Sequence, residues 1–107
     1  MNKVFKALSD PTRRRVLELL RGRPMTAGEL SRQFPVSKPT MSAHFSVLQD
    51  AGLVETEKTG RVVLYRLRMS VLEDALLGFA EAVGMGVGQA EARRRRARSA
   101  RLRRHET

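Results

Sequence analysis

The chain has 107 residues, enough for one modest domain and too few for two cores of ordinary size. Its 21 Lys and Arg outnumber 11 Asp and Glu, and the net charge of +10 favours a polyanionic partner, nucleic acid before an anionic membrane surface. The absence of cysteine excludes a disulfide scaffold, a thiolate metal site and a Cys nucleophile. With no signal peptide and no long apolar stretch, we expect a cytoplasmic protein, associated with the nucleoid if it binds DNA, and without membrane insertion.

The positive charge is concentrated near the carboxyl terminus. Residues 89–107 contain eight Arg and two Glu, a net charge of +6. Because Leu102 is the main apolar residue there besides a few alanines, this segment cannot bury enough surface to fold alone. We predict one domain at residues 1–88 and a disordered Arg-rich tail at residues 89–107.

Two helices are predicted at the amino terminus. The first carries an apolar cluster at helical spacing and ends at Ser9-Asp10-Pro11, where an N-cap residue precedes a proline. A second helix begins there and extends to Gly22, since glycine commonly ends helices. The apolar cluster of the first helix consists of Val4, Phe5 and Leu8.

The first turn of the second helix is strongly basic. Arg13, Arg14 and Arg15 occupy the end of the helix at which the dipole disfavours cations, so they need an offsetting anion. One source is the protein itself, through an Arg14–Glu18 pair with Asp10 nearby. The other is a DNA phosphate, which makes Arg13 and Arg14 candidate DNA contacts.

The next two helices form a predicted helix-turn-helix. Thr26-Ala27-Gly28-Glu29 is a capping box that opens a short helix burying Leu30 and Phe34. A three-residue turn at Pro35-Val36-Ser37 leads into a fourth helix, which Ser37 caps and Gly52 ends. The buried stripe of the fourth helix is Met41, Phe45 and Leu48, at i, i+4 and i+7.

The opposite face of the fourth helix carries small polar side chains, which suit the major groove because bulky ones would hold the helix away from the bases. The alternative is an ordinary solvated face of an amphipathic helix. For His44, a contact with DNA or a plain surface position is favoured over metal binding, which needs several converging donors. The predicted DNA contacts of this helix are Ser37, Lys38, Thr40, Ser42, Ala43, His44 and Ser46.

A β-hairpin follows, because the periodicity changes to two. Leu53–Lys58 and Val62–Leu67 are the predicted strands, joined by a tight turn at Thr59-Gly60. A hairpin beside a recognition helix brings its tip near the minor groove or its phosphates. We therefore predict wing contacts from Lys58, Thr59 and Arg61, although isolated charges at a loop tip can also be merely solvated.

The last predicted helix begins with Ser70 as its cap and weakens at Gly84. It has one strong apolar stripe, which needs cover beyond a small core, so we expect a homodimer built with the first helix. The predicted fold is mainly α with a β-hairpin, a winged helix-turn-helix in the order α-α-α-α-β-β-α. The predicted dimer residues are Val4, Phe5, Leu8, Leu72, Leu76, Phe79 and Val83.

These motifs together resemble a known family. Residues 7–15, 25–30, 36–45 and 60–65 are similar to the ArsR/SmtB winged-helix repressors, most closely to their metal-free, SdpR-like autorepressor branch. The resemblance covers residues 2–83 and implies a transcriptional repressor that binds double-stranded DNA as a homodimer, at an inverted repeat upstream of its own operon. The family's cysteine metal site is absent, and the last helix has carboxylates but no histidine, so neither metal nor other cofactor is expected.

Two other classes of function compete with this one. An enzyme is disfavoured, because no Gly-rich phosphate loop, no cysteine and no His-acid pair of known mechanics is present. A nonspecific, nucleoid-type nucleic-acid binder driven by the tail is the main alternative. Four Phe and one Tyr, all at periodic positions, leave no stacking platform for single strands, so duplex DNA is favoured. The sequence leaves open an anti-repressor protein as a further partner.

Overall fold

The computed structural model describes residues 2–85 and 96–98. The described residues up to Glu73 form one compact unit and those from Asp74 onward belong to another, so the division falls inside the last helix. The elements follow the predicted order with one added strand. They are α1 (Asn2–Leu8), α2 (Pro11–Gly22), β1 (Met25–Thr26), α3 (Ala27–Ser31), α4 (Lys38–Asp50), β2 (Val54–Thr59), β3 (Val62–Leu67) and α5 (Met69–Ala82).

Helix α2 begins and ends where the sequence predicts. The Asp10 carboxylate accepts a hydrogen bond from the backbone N–H of Arg13 at 3.1 Å, and Pro11 takes the first helical position, where its missing N–H is not needed. Gly22 is the last helical residue. The buried residues of α2 are Val16, Leu17 and Leu20.

The predicted capping box opens α3. Thr26 Oγ1 accepts from the Glu29 N–H at 3.1 Å, and Glu29 Oε1 accepts from the Thr26 N–H at 3.2 Å. The predicted three-residue turn is wrong, because six residues, 32–37, separate α3 from α4. Pro35 accounts for the early end of α3, since the residue before a proline avoids the helical conformation. Phe34 therefore lies outside α3 and is only half-buried.

Helix α4 ends at a glycine with left-handed backbone. Gly52 has φ 73°, its N–H donates to the Gln49 carbonyl at 2.9 Å, and the Leu53 N–H donates to the Leu48 carbonyl at 3.1 Å. These two bonds form a Schellman motif, which satisfies carbonyls that the helix end would otherwise leave unpaired. Leu48 and Leu53 are both fully buried, so the motif also seals the core below α4.

Replacing Gly52 with alanine should lower the free energy of unfolding by about 1–2 kcal/mol, because a Cβ disfavours the left-handed conformation. The added Cβ would meet only Val71 Cγ1, at an ordinary 3.9 Å, so the cost is conformational. Gly22→Ala is the matched control, since nothing lies within 4 Å of its Cβ and its φ is not positive. That variant should gain up to about 1 kcal/mol of helix propensity. Urea unfolding checks both, and equal effects would contradict the role of Gly52.

The sheet has three antiparallel strands in the order β1-β3-β2. The pairing of β2 with β3 runs from Val54↔Leu67 to Thr59↔Val62, and β1 pairs with β3 through Met25↔Tyr65. The sequence does not predict β1, because two residues are too few to show an alternating pattern. The added strand anchors the start of α3 to the base of the wing.

The turn of the wing lies one residue further along than predicted. Thr59 is the last residue of β2 and pairs with Val62, so Gly60 and Arg61 form the two-residue turn. Gly60 has φ 61°, and no described residue other than glycine has a positive φ. Positive φ at the first central position alone is the type II′ pattern, whose twist matches that of a hairpin. The first strand is accordingly Val54–Thr59 and not Leu53–Lys58.

The predicted stripe of α4 forms much of the core of the first unit. Met41, Phe45 and Leu48 are all buried. The ring of Phe45 lies 4.8 Å, centroid to centroid, from the ring of Tyr65 on β3, and burial raises the pKa of Tyr65. The largest fully buried side chains are Leu30, Met41, Leu48, Leu53 and Val16.

Helix α5 begins at Met69, two residues before the first helical position that a cap at Ser70 predicts. Ser70 lies inside its first turn and does not cap it. Gly84, with φ 75°, ends the helix as predicted, and its N–H donates to the Glu81 carbonyl at 3.1 Å.

Within the described residues, no helix is long and apolar enough to cross a membrane. Residues 96–98 are helical, while the rest of the predicted tail, and its boundary after residue 88, lie outside the described residues and stay predictions.

Candidate DNA-binding surface

Helix α4 presents an exposed polar face, as predicted. Ser37 caps the helix by accepting from the Thr40 N–H at 3.3 Å, and its own hydroxyl donates to Thr40 Oγ1 at 2.9 Å. The Thr40 hydroxyl is thereby oriented, with its own proton still available to an acceptor outside the protein. The exposed predicted contacts are Ser37, Lys38, Thr40, Ser42, Ala43 and Ser46.

His44 does not lie on this exposed face. Its side chain is only 15% exposed, and its Nδ1 lies 3.1 Å from Arg13 Nη1 and 3.8 Å from Asp10 Oδ2. The ring therefore packs toward the start of α2. The available signal was the position of His44 three residues after the buried Met41, which places it at the edge of the buried stripe.

The three arginines of α2 find their partners mainly within the protein. The predicted Arg14–Glu18 pair is wrong, because Glu18 pairs with Arg15 at 2.9 Å. Arg14 Nη1 donates instead to the Leu8 carbonyl at 2.8 Å. Backbone carbonyls at the end of α1 thus act as the acceptors for Arg13 and Arg14. The sequence alone predicts a carboxylate or a DNA phosphate in this role. The DNA contacts predicted for Arg13 and Arg14 stay predictions.

Asp10 supplies the negative charge beside this cluster. Burial by itself raises the pKa of its carboxyl group, but the hydrogen bond from the Arg13 backbone and the nearby His44 and Arg13 side chains outweigh it, so the pKa lies below its usual value. Asp10 is therefore ionised at neutral pH and caps α2 as a carboxylate.

The wing carries cations that no acidic side chain among the described residues neutralises. Lys58, Thr59 and Arg61 are exposed, and in the described part of the chain neither cation has a side-chain partner. Arg66 on β3 differs, since its Nη2 lies 3.5 Å from Glu57 Oε2. Replacing Lys58 or Arg61 would remove only a contact with a molecule outside the protein. Replacing Arg66 would instead leave the Glu57 carboxylate without its partner. This difference separates candidate phosphate contacts from structural cations.

A groove between α3, α4 and β3 brings together a second pair of cations. It is an open cavity of about 600 Å³, and Phe45 and Tyr65 form its floor. Arg32 and Lys38 line it, and neither side chain has a hydrogen-bond or ion-pair partner among residues 2–85 and 96–98. The remaining lining residues are Ala27, Gly28, Ser31, Val36 and Ser42.

Sequence reasoning missed Arg32. The predicted three-residue turn began at Pro35, which placed Arg32 inside a helix rather than at its end. In the structure Arg32 is the C-cap of α3, and its Nη2 would lie 3.6 Å from a Cβ added at Gly28. The available signal was its place three residues before Pro35, because a helix commonly ends ahead of a proline.

The predicted dimer residues are not equally accessible. Val4 is only 6% exposed, and Phe5, Leu8 and Leu72 are half-buried. Leu76 and Phe79 on α5 are 46% and 45% exposed, and Val83, directly after α5, is 56% exposed. The large exposed apolar surface among the predicted residues thus lies on the second half of α5.

No three of the His, Asp and Glu side chains in residues 2–85 and 96–98 lie close enough together to hold a metal ion.

The fold combines helices α1–α3, a capped and exposed α4, and a hairpin with exposed cations at its tip. This combination defines a winged helix-turn-helix protein. A helix-turn-helix domain model matches residues 8–57. The chain is 45% identical over 76 residues to the transcriptional repressor SdpR of Bacillus subtilis, an alignment that covers 71% of this chain and 84% of that protein.

Solved structures agree with this assignment. An ArsR family transcriptional regulator superimposes with a TM-score of 0.72 at 34% identity, over 78% of this chain and 87% of that one. An ArsR-like transcriptional regulator from Rhodococcus sp. RHA1 gives a TM-score of 0.67 at 35% identity, over 94% and 90%. The chain belongs to the ArsR family of winged helix-turn-helix repressors, which are sequence-specific DNA-binding regulators. The resemblance stated from the motifs is confirmed.

Proposed function

We propose that this protein is an autorepressor, which binds as a homodimer to an inverted repeat in the double-stranded DNA upstream of its own operon. One observation carries the proposal. The exposed face of α4, the groove beside it and the tip of the wing hold small hydroxyl side chains and four cations with no partner among the described residues. Short hydroxyl side chains can reach base edges, and free cations can reach phosphates.

The roles divide by chemistry. Thr40 and Ser42 read bases through hydrogen bonds, and Ala43 can contact a thymine methyl group. Lys38, Lys58 and Arg61 position the protein on the phosphates without reading sequence. Ser37 contributes by capping α4, which holds its first turn at a fixed geometry against the groove of the DNA.

The exposed apolar surface of α5 supports the homodimer, because a second copy would cover it symmetrically. Binding to consecutive major grooves would need two α4 helices about one DNA turn, roughly 34 Å, apart. Two-fold symmetry of the protein then requires an inverted repeat in the DNA. The similarity to a named transcriptional repressor supports repression as the outcome of binding.

Footprinting on the region upstream of the protein's own gene tests the proposal. The wild-type chain should protect one inverted repeat, and the double variant Thr40→Ala, Ser42→Ala should lose preference for it over random DNA by about 1–3 kcal/mol for each base contact removed. Ser70→Ala, an exposed serine on α5, is the control and should keep the preference.

Equal affinity of the wild-type chain for the repeat and for random DNA would reject the proposal in favour of a nonspecific, nucleoid-type binder. An unchanged preference in the Thr40 and Ser42 double variant would reject the assignment of base reading to α4. Protection elsewhere on the chromosome, with none upstream of its own gene, would reject autoregulation alone.

A further inference from the structure

The guanidinium group of Arg13 lies where α1, α2 and α4 meet, all within the unit formed by residues up to Glu73. Its Nε donates to the Ala7 carbonyl at 2.8 Å, and its Nη2 donates to the Lys6 carbonyl at 2.9 Å. Its Nη1 lies 3.1 Å from His44 Nδ1. Each of the three nitrogens of this side chain therefore has a partner. Two partners are carbonyls in the last turn of α1, and the third is the His44 ring on α4.

The contact with Arg13 determines which nitrogen of the His44 ring acts as the acceptor. A guanidinium group is a donor only and stays protonated in proteins, so Nη1 must donate and Nδ1 must accept. The proton of the neutral ring then lies on Nε2.

The alternative is a ring that donates from Nδ1 to Asp10. That ion pair spans 3.8 Å, and it would turn an N–H of the ring toward an N–H of Arg13 only 3.1 Å away. Asp10 Oδ2 also already accepts the Arg13 backbone N–H at 3.1 Å. The geometry therefore favours a ring whose Nδ1 accepts from Arg13.

We propose that Arg13 is a positioning residue for DNA recognition. It holds His44 in the Nε2–H tautomer and ties α4 to the carboxyl-terminal turn of α1, which keeps the exposed face of α4 at the angle that DNA binding needs. The inference rests on the proposed function for its effect on DNA. It replaces the phosphate contact that the sequence suggested for Arg13, because three of the five N–H groups of the guanidinium, one on each nitrogen, already bond within the protein.

Lysine cannot take over this role, although it keeps the charge. An ammonium group is a single point on a flexible stem and cannot span two carbonyls and a ring nitrogen in one plane. At position 44, asparagine can take over part of the role, because its Oδ1 is an acceptor at about the place of Nδ1. Leucine fills similar space and offers no acceptor.

The first experiment is long-range ¹H–¹⁵N NMR of the histidine rings in the full chain without DNA, in mildly alkaline buffer. His105→Gln assigns the His44 signals. The wild-type chain should show one unprotonated, acceptor-type Nδ1 and one protonated Nε2, and Arg13→Lys should show a mixture of tautomers. Arg15→Lys, at an exposed position that pairs with Glu18, is the matched control and should leave the spectrum unchanged.

The second experiment measures binding to the protected repeat and to random DNA. Arg13→Lys and His44→Leu should lower the preference for the repeat by about threefold to tenfold per lost hydrogen bond, while the salt dependence of binding stays the same. His44→Asn should recover most of the loss.

Three results would overturn the inference. The first is a wild-type His44 ring protonated at Nδ1. The second is an Arg13→Lys variant that keeps both tautomer and preference. The third is a salt slope reduced by one contact per subunit in the uncharged Arg13→Gln variant, which would make Arg13 a phosphate ligand, whereas lysine keeps the charge and the slope. A wild-type chain with no preferred DNA site would instead reject the proposed function, and it would leave the NMR result unaffected.

Discussion

Replacing Leu76 with aspartate should convert the dimer into monomers and weaken operator binding by about 10³-fold or more, because a single half-site offers little more than nonspecific affinity. Leu76 is 46% exposed on α5, and Phe79, three residues further along the same face, is 45% exposed. A carboxylate placed in an apolar dimer interface would be buried without a partner, which costs several kcal/mol.

Sedimentation equilibrium at micromolar concentration and operator titration check the dimer together. Asp74→Ala is the control, since position 74 lies on the opposite side of α5 from Leu76 and is exposed. That variant should stay dimeric with full affinity. A wild-type chain that is monomeric yet fully active on its operator would contradict the homodimer, and a dimeric Leu76→Asp variant would place the interface elsewhere.

The order of the helices and the hairpin is readable from the sequence because each boundary has a local physical cause. Asp10-Pro11, the Thr26–Glu29 box and Ser37 all act within four residues of the helix that they start, so the pattern alone predicts them. Glycines 52 and 84 end their helices for the same local reason. Such devices need no knowledge of the tertiary fold.

The errors arise where tertiary contacts decide. Strand β1 exists only because β3 lies beside it, and the turn of the wing moved by one residue because the register of β2 with β3 sets it. The site shows the same division. The exposed face of α4 follows from helical periodicity, whereas the inward position of His44 depends on Arg13, which is 31 residues away in sequence. No pattern within α4 reports that contact.

Removing both cations of the groove should produce the other large effect. The double variant Arg32→Ala, Lys38→Ala removes two proposed phosphate contacts per subunit and four per dimer. At about 0.9 per contact, the slope of log K against log salt should flatten by roughly 3 to 4. Because hydrogen bonds to charged groups are stronger than neutral ones, operator affinity at low salt should fall on the order of 10³-fold.

The matched control removes the same charge from cations that the protein already pairs. Arg15 lies 2.9 Å from Glu18 and Arg66 lies 3.5 Å from Glu57, so the double variant Arg15→Ala, Arg66→Ala should change the slope by no more than about one unit. Thermal unfolding of both variants verifies that the fold is intact. If the two double variants flatten the slope equally, net charge governs binding and the groove is not a phosphate site. If only the groove variant flattens the salt slope, Arg32 and Lys38 are contacts of the DNA backbone, in keeping with their lack of partners among the described residues.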